Sequence, residues 1–357
     1  MFKVKLKSLK TYTIFLIIAF SYKIHSQNYG NRSFSYLLDD QSAKSLGTGG
    51  AVFSSEDSEV GYVFSNPALL RSSHSKQLFF SQSFNSYFHN RGNFAFALTT
   101  KNFCIMPYVL YSNYGDFESR DVTGNLTGEF SAIDYVVGSA FSRQLTSEIT
   151  YGVDLSFLGS HYENYSSYGV KMNAGVHYNH SNKLFSSALI LKDLGYQFLD
   201  YNANAQRKLP SNLALGISYK LEHAPFRFSL IFNELNRWRN YYTDPTLTEN
   251  IDLLTGDTIP IKRVTIFEQI GHHLLLQTEL FVSKHIFFRS GFSYHRRNEL
   301  QVTTRPGMSG FSLGIGVKTK KIEFNYGYTV YSQASQRHGI SLSFKIPKTS
   351  KKFLGSY

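Results

Sequence analysis

The sequence predicts an all-β fold, a transmembrane outer-membrane β-barrel of about 14 antiparallel strands. Three observations predict it. Apolar and polar residues alternate with period two in segment after segment from Lys76 onward. The connections between those segments are alternately short and long. Aromatic residues make up 16% of the 357 residues, with 31 Phe and 25 Tyr, while mean hydropathy is only -0.23. Transmembrane barrels carry this aromatic load because girdles of rings sit at both membrane interfaces.

Taken in order, residues 1–26 read as a secretory signal peptide. Lys3, Lys5, Lys7 and Lys10 form a basic head, and Tyr12 to Tyr22 an apolar stretch too short to span a bilayer comfortably. Cleavage after Ser26 leaves Gln27 first, although Ile24 fits the small-residue rule poorly. The segment holds five lysines and no acidic residue, so 12 − 5 leaves a net charge of +7 on the rest. Beyond it no run of about 18 apolar residues occurs, which excludes a bundle of membrane helices. An exported membrane chain then has the closed barrel as its remaining option. Cys104 is the single cysteine, so no internal disulfide forms; it reads as a small apolar strand residue.

Residues 27–75 precede the first strand and read as a plug segment. Within them Glu56–Leu70 looks like a short helix, with Ser54 and Asp57 as a capping box and Pro67 stopping it at Asn66. Such a segment can fold into the barrel lumen or pack beneath it.

The barrel occupies 76–346. Its segments lie near 76–84, 92–99, 103–112, 130–142, 148–160, 167–179, 184–192, 211–221, 225–233, 271–283, 285–296, 309–319, 321–331 and 337–346. Most match the 9–11 residues a tilted membrane strand needs and exceed the five or six of soluble sheets. In "GFSLGIGVK" Phe311, Leu313, Ile315 and Val317 share one face, with Ser312, Gly314 and Gly316 on the other. Turns after even-numbered strands are short, as at "HSNK" (180–183), "KH" (284–285) and "KK" (320–321). Those after odd-numbered strands are mostly long, as at 113–129, 193–210, 234–270 and 297–308. Short turns mark the periplasmic rim and long loops the outside. An even strand number also puts both termini in the periplasm.

Asp134, Asp154, Lys171, Asn173, His177, Glu279 and Arg289 fall on the inward face, where charge is far less costly than against lipid. Glu279 and Arg289 come near register across the "KH" turn. The last alternating segment, "HGISLSF", turns Ile340, Leu342 and Phe344 outward, and a basic tail, 347–357, follows the barrel.

No enzymatic constellation is present: HExxH, GxSxG, CxxC and a phosphate-binding glycine loop are all missing. His272 and His273 adjoin, but neighbours on a strand point to opposite faces and make a poor metal pair. No catalytic, cofactor-binding or metal residue is assigned. The basic residues are dispersed over turns (Lys101, Arg143, Lys183, Lys284, Lys320, Lys321), a pattern of solvated rims with no nucleic acid implied. The 234–270 connection, which holds the sole tryptophan, Trp238, is long enough to be a contact surface.

Two resemblances rest on these residues. "SLGTGGAVFSSEDSEVGYVFSNPALL" (45–70), with its Gly-Gly-Ala stretch, acidic residues and Asn-Pro-Ala signature, is similar to the lead segment of FadL-like outer-membrane barrels. That resemblance implies a plugged fourteen-stranded barrel and passage of hydrophobic small molecules. "NYGDFESRDVTGNLTGEFSAIDY" (113–135), "LEHAPFRFSL" (221–230), "SGFSYHRRNEL" (290–300) and "GFSLGIGV" (310–317) together resemble the PorQ-type proteins of the type IX secretion system of Bacteroidetes. This likeness runs roughly from Phe34 to Phe344. It implies a non-enzymatic anchor for a PorZ-type surface protein, within an attachment complex with PorU and PorV that joins secreted cargo to lipopolysaccharide. The chain departs from that pattern at Ser42-Ala43-Lys44, where an Arg is more usual, in an expanded 244–268, and in the tail beyond Phe344.

Overall fold

Alternation along each strand decides the architecture, because a closed sheet with lipid outside and polar space inside satisfies both faces at once. The computed structural model describes residues 34–50, 52–55, 59–85, 90–201, 209–241, 250–251, 258–259, 264–301 and 307–347. The expected signal segment, Asp57 of the expected capping box and the tail from 348 onward lie outside the described residues.

The strands are β1 (Gln77–Asn85), β2 (Asn90–Thr99), β3 (Cys104–Arg120), β4 (Leu126–Gln144), β5 (Ile149–Tyr162), β6 (Tyr165–Asn179) and β7 (Phe185–Leu199). They continue as β8 (Asn212–Lys220), β9 (Phe226–Phe232), β10 (Asn250–Ile251), β11 (Thr258–Ile259), β12 (Leu274–Phe281), β13 (Ile286–Ser293), β14 (Phe311–Lys318), β15 (Ile322–Val330) and β16 (Gln336–Lys345). Fourteen of them pair antiparallel with their neighbours and close as β1 meets β16, while β10 and β11 form a separate ribbon. The ring itself has no open edge, which is what hydrocarbon requires of a spanning sheet.

Side-chain burial follows the predicted alternation. Phe311, Leu313, Ile315 and Val317 are exposed on the outer wall, as are Ile340, Leu342 and Phe344. Among the described residues no helix is long and apolar enough to cross a membrane.

Three departures from the sequence expectation have physical causes. Strands β3 and β4 run far past residue 112 and begin before 130, so most of 113–129 is hairpin and not loop. Phe117 and Phe130 stack across it at 5.4 Å, and Asp121 closes the tip by accepting from the amides of Thr123 and Asn125. Next, residues 271–273 belong to a helix, α2 (Ile266–His273), started by a capping box between Thr265 and Glu268. Residues 294–296 likewise start a helix, α3 (Tyr294–Leu300), capped by Ser293, where the alternation predicted strand.

The third departure concerns the plug. Its helix α1 (Ala43–Gly47) is capped by Ser42, and the stretch expected as one helix ending at Asn66 is two 3-10 turns, Val60–Phe64 and Pro67–Leu69. Asn66 does more than end a helix. Its side-chain oxygen accepts from the Ala68 amide at 3.0 Å and its Nδ2 donates to the Phe53 carbonyl at 2.8 Å. Pro67 then sits at the first position of the new turn, where no amide hydrogen is needed. The Asn-Pro-Ala signature is a folded corner.

Candidate functional site: the plugged lumen and the outer rim

The N-terminal segment threads the lumen from the long-loop rim to the short-turn rim. Asp39 meets Arg91 and Arg337 at 3.3 and 2.9 Å, and Asp40 meets Arg296 at 3.5 Å and accepts from the Tyr331 hydroxyl at 3.1 Å, all beside the long-loop rim. The described part of the plug therefore begins at the long-loop rim, within the barrel and not beneath it. Below this, α1 lies against β14, β15 and β16, while Pro67–Leu69 lies against β4, β5 and β6 across the lumen. Glycine makes both contacts possible. A Cβ added at Gly327 would overlap the Ala43 carbonyl, and one added at Gly152 would overlap the backbone of Pro67 and Ala68.

Lys44 is the hub of the α1 side. Its ammonium, fully buried, lies 3.2 Å from Glu59 and 2.9 Å from Glu323 and caps the Tyr62 ring at 4.9 Å. Ser341 donates to Glu59 at 2.7 Å. Glu279 and Arg289, predicted to come near register, are direct cross-strand partners at 3.0 Å. Arg227 joins the same carboxylate at 2.7 Å, and Arg289 donates to Asn325 at 2.9 Å. Ser55 of the plug donates to Glu279 at 3.3 Å. The departure noted at Lys44 thus falls on the residue that ties plug to wall. Removing one member of such a set leaves a buried charge unpaired.

The remaining inward residues form three separate groups, all buried. Asp154 accepts from Tyr108 at 3.0 Å and from Asn173 at 2.8 Å, and Lys171 lies between it and Asp193, at 4.0 and 3.0 Å. Asp134 accepts from Tyr114 at 2.6 Å, from Tyr162 at 2.9 Å and from Ser160. His177 bridges the plug ends, taking Arg71 at one ring nitrogen (3.2 Å) and the Ser54 carbonyl at the other (3.1 Å). The first two groups are satisfied within the wall, and His177 ties the wall to the plug.

At the long-loop rim the two adjoining histidines part company, although a helix end and not a strand separates them. His273 stacks on Trp238 at 5.4 Å and binds the carbonyls of Asn233 (2.7 Å) and Trp238 (3.2 Å). His272 turns the other way, toward His295, Asn298 and Glu299 of α3. Burial, and then His273 beside it, holds the His272 imidazole below its ordinary pKa. Alternation predicted strand through residue 296, which hid His295 and Glu299 as partners. The spacing of four within "YHRRNEL" was the available signal, and it is meaningful only on a helix.

A further feature lies on the outer wall. An apolar groove of about 700 Å³ lies across the wall from β9 to β16, lined among others by Thr278, Leu280, Phe288, Ser290, Leu313 and Ile315.

With a 14-strand closed ring, a polar lumen and a plug threaded through it, the architecture is specific enough to compare. Two solved structures align over nearly their whole length. The toluene transporter TodX of Pseudomonas putida covers 86% of this chain and 98% of its own, with a TM-score of 0.53 at 10% identity. The monoaromatic hydrocarbon channel CymD covers 88% and 99%, with a TM-score of 0.53 at 12% identity. The fold is shared with these two barrels: a closed ring of fourteen antiparallel strands. At this level of identity the likeness establishes the fold and leaves the cargo open. No family model and no curated protein matches the chain.

Proposed function

We propose that the chain is a non-enzymatic outer-membrane barrel that handles hydrophobic small molecules. The fold shared with a toluene transporter and a monoaromatic hydrocarbon channel carries this reading. The apolar outer groove, backed by the α1 contact at Gly314, supplies a surface such molecules would occupy from the membrane. Export through the expected signal peptide belongs to the same proposal. The test is uptake of a labelled monoaromatic hydrocarbon or fatty acid by a deletion strain. Loss of uptake, restored by the wild-type gene, is expected, and unchanged uptake overturns the reading.

A second reading is favoured by where the quoted segments fall. Residues 113–135 form the β3–β4 hairpin at the long-loop rim, and 290–300 run from β13 into α3 at the same rim. Two of the four segments that resemble PorQ-type proteins therefore include surface-exposed positions as well as wall. On this reading the barrel anchors a PorZ-type surface protein of the type IX attachment complex, alongside PorU, PorV and lipopolysaccharide. The same deletion strain decides: release of that surface protein and accumulation of unprocessed cargo, with uptake intact, selects the anchor.

A further inference from the structure

Two helices meet at the long-loop rim for a topological reason. α2 runs into β12 at Leu274, and β13 runs into α3 at Tyr294. Because β12 and β13 are paired, with Leu275 opposite Ser293, the residues just beyond that pair emerge side by side. His272 leaves one strand and His295 leaves the other. Glu299 is one helical turn after His295 and shares its face of α3.

The three potential ligand atoms converge. His272 Nδ1 lies 3.1 Å from His295 Nδ1 and 3.8 Å from Glu299 Oε1, and all three atoms fall within 4.8 Å of one another. Tetrahedral zinc with bonds of about 2.0–2.1 Å sets its ligands roughly 3.3–3.4 Å apart. Adjustments of a few tenths of an ångström bring the two His272 distances to ligand spacing, and the His295–Glu299 pair, within 4.8 Å, closes by a rotation of the Glu299 side chain. His272 is held in place by its surroundings: it is 3% exposed, its ring packs against Tyr294 and Tyr241 at 5.6 Å, and Asn240 donates to its carbonyl at 3.1 Å. Glu299, at 23% side-chain exposure, opens the site to solvent.

The partner on the far side of the ring fits as well. Asn298 places its amide 3.0 Å from His272 Nε2. Turned so that its oxygen faces the ring, that amide accepts the Nε2 hydrogen and leaves the Nδ1 lone pair for a metal. Metal-bound histidines characteristically donate their second ring hydrogen to such an acceptor. Neither His273 nitrogen is available, since both meet backbone carbonyls.

We propose that His272, His295 and Glu299 form a zinc site that staples α2 to α3 at the outer rim. Two imidazoles and one carboxylate suit a borderline divalent metal, whereas calcium and magnesium prefer all-oxygen sites. Three protein ligands leave the fourth position to water or to a side chain from outside.

The test uses the full-length barrel in detergent, carrying no histidine tag, stripped with a chelator and titrated with zinc. Bound metal is measured by atomic absorption after dialysis, and heat-modifiable gel migration confirms that each variant is folded. One zinc per barrel is expected, with at least tenfold weaker binding in Glu299→Gln and His295→Gln. Asn298→Ala, which removes the outer partner and no ligand, is expected to weaken binding about 10- to 100-fold. Cobalt in place of zinc should give the visible absorption of a tetrahedral centre, lost in the same variants. Folded wild-type barrel that binds no stoichiometric zinc overturns the proposal. So does zinc binding undiminished in both ligand variants.

Discussion

The two sides of the barrel solve the same problem differently. Strands β3 to β7 have 17, 19, 14, 15 and 15 residues, whereas β8, β9 and β12 to β15 have 9, 7, 8, 8, 8 and 9. At about 3.3 Å per residue, β4 alone reaches on the order of 60 Å along the strand, far more than a bilayer needs. An eight-residue strand tilted by about 40° rises only about 20 Å, just short of the roughly 25 Å apolar band. The tall wall continues as a paired ladder. Its outer rings, such as Phe157 on Tyr168 at 5.8 Å and on Phe198 at 6.2 Å, add about 0.5–1.5 kcal/mol per pair. The low wall ends early and hands over to α2, α3 and the long connection, with Ile266 and Phe267 leaving apolar surface exposed at its rim.

The inner faces differ in the same sense. On the tall side Asp134, Asp154 and Lys171 find most of their partners on neighbouring strands, so the wall satisfies itself. On the low side Glu279 and Glu323 share their charge with the plug through Ser55 and Lys44. The low wall and the plug stabilise each other, and the tall wall depends less on either.

That contrast is sharpest at Lys44. Lys44→Ala leaves Glu59 and Glu323 buried without their cation and is expected to cost about 3–5 kcal/mol. Urea unfolding in lipid vesicles, followed through Trp238 fluorescence, measures it. A loss below about 1 kcal/mol would remove the distinction between the walls. Asp154→Ala on the tall side should cost less, about 1–3 kcal/mol, because Lys171 keeps its closer partner Asp193 and the hydrogen-bond donors that lose their acceptor, Tyr108 and Asn173, are neutral. A larger loss there than at Lys44 would reverse the comparison.

The smallest effect is expected at the hairpin tip. Hydrogen bonds, first from the Thr123 hydroxyl and then from the Asn125 amide, pull the Asp121 pKa down to about 2. A carboxylate whose pKa is depressed on folding stabilises above its unfolded value of about 3.9 and loses that contribution as pH falls through 2. Protection of the Thr123 and Asn125 amides, measured against their intrinsic exchange rates, should therefore fall between pH 4 and about 2. In Asp121→Asn that pH step should vanish, and its persistence would assign the tip's order to another group. The tall wall below should not respond.

Local chemistry made much of this legible. Alternation located all fourteen barrel strands, because a strand's two faces are set by adjacent residues alone. The seven inward polar residues could be named for the same reason, and Glu279 with Arg289 even paired, since a two-residue turn transmits register directly. Where the period was misleading, a cap had won: Thr265 and Ser293 start helices at segments whose alternation reads as strand.

By itself, then, the sequence determined the barrel, its two faces, its rims and the presence of a lead segment interrupted at Pro67. Only the tertiary structure decided that Lys44 meets Glu323, 279 positions away, and that His272 faces His295 and Glu299 and not its neighbour His273. The physical reason is one of range. Side-chain direction repeats over two or four residues, but which charges share the lumen depends on ring closure and on the path of the plug, and no local pattern encodes either.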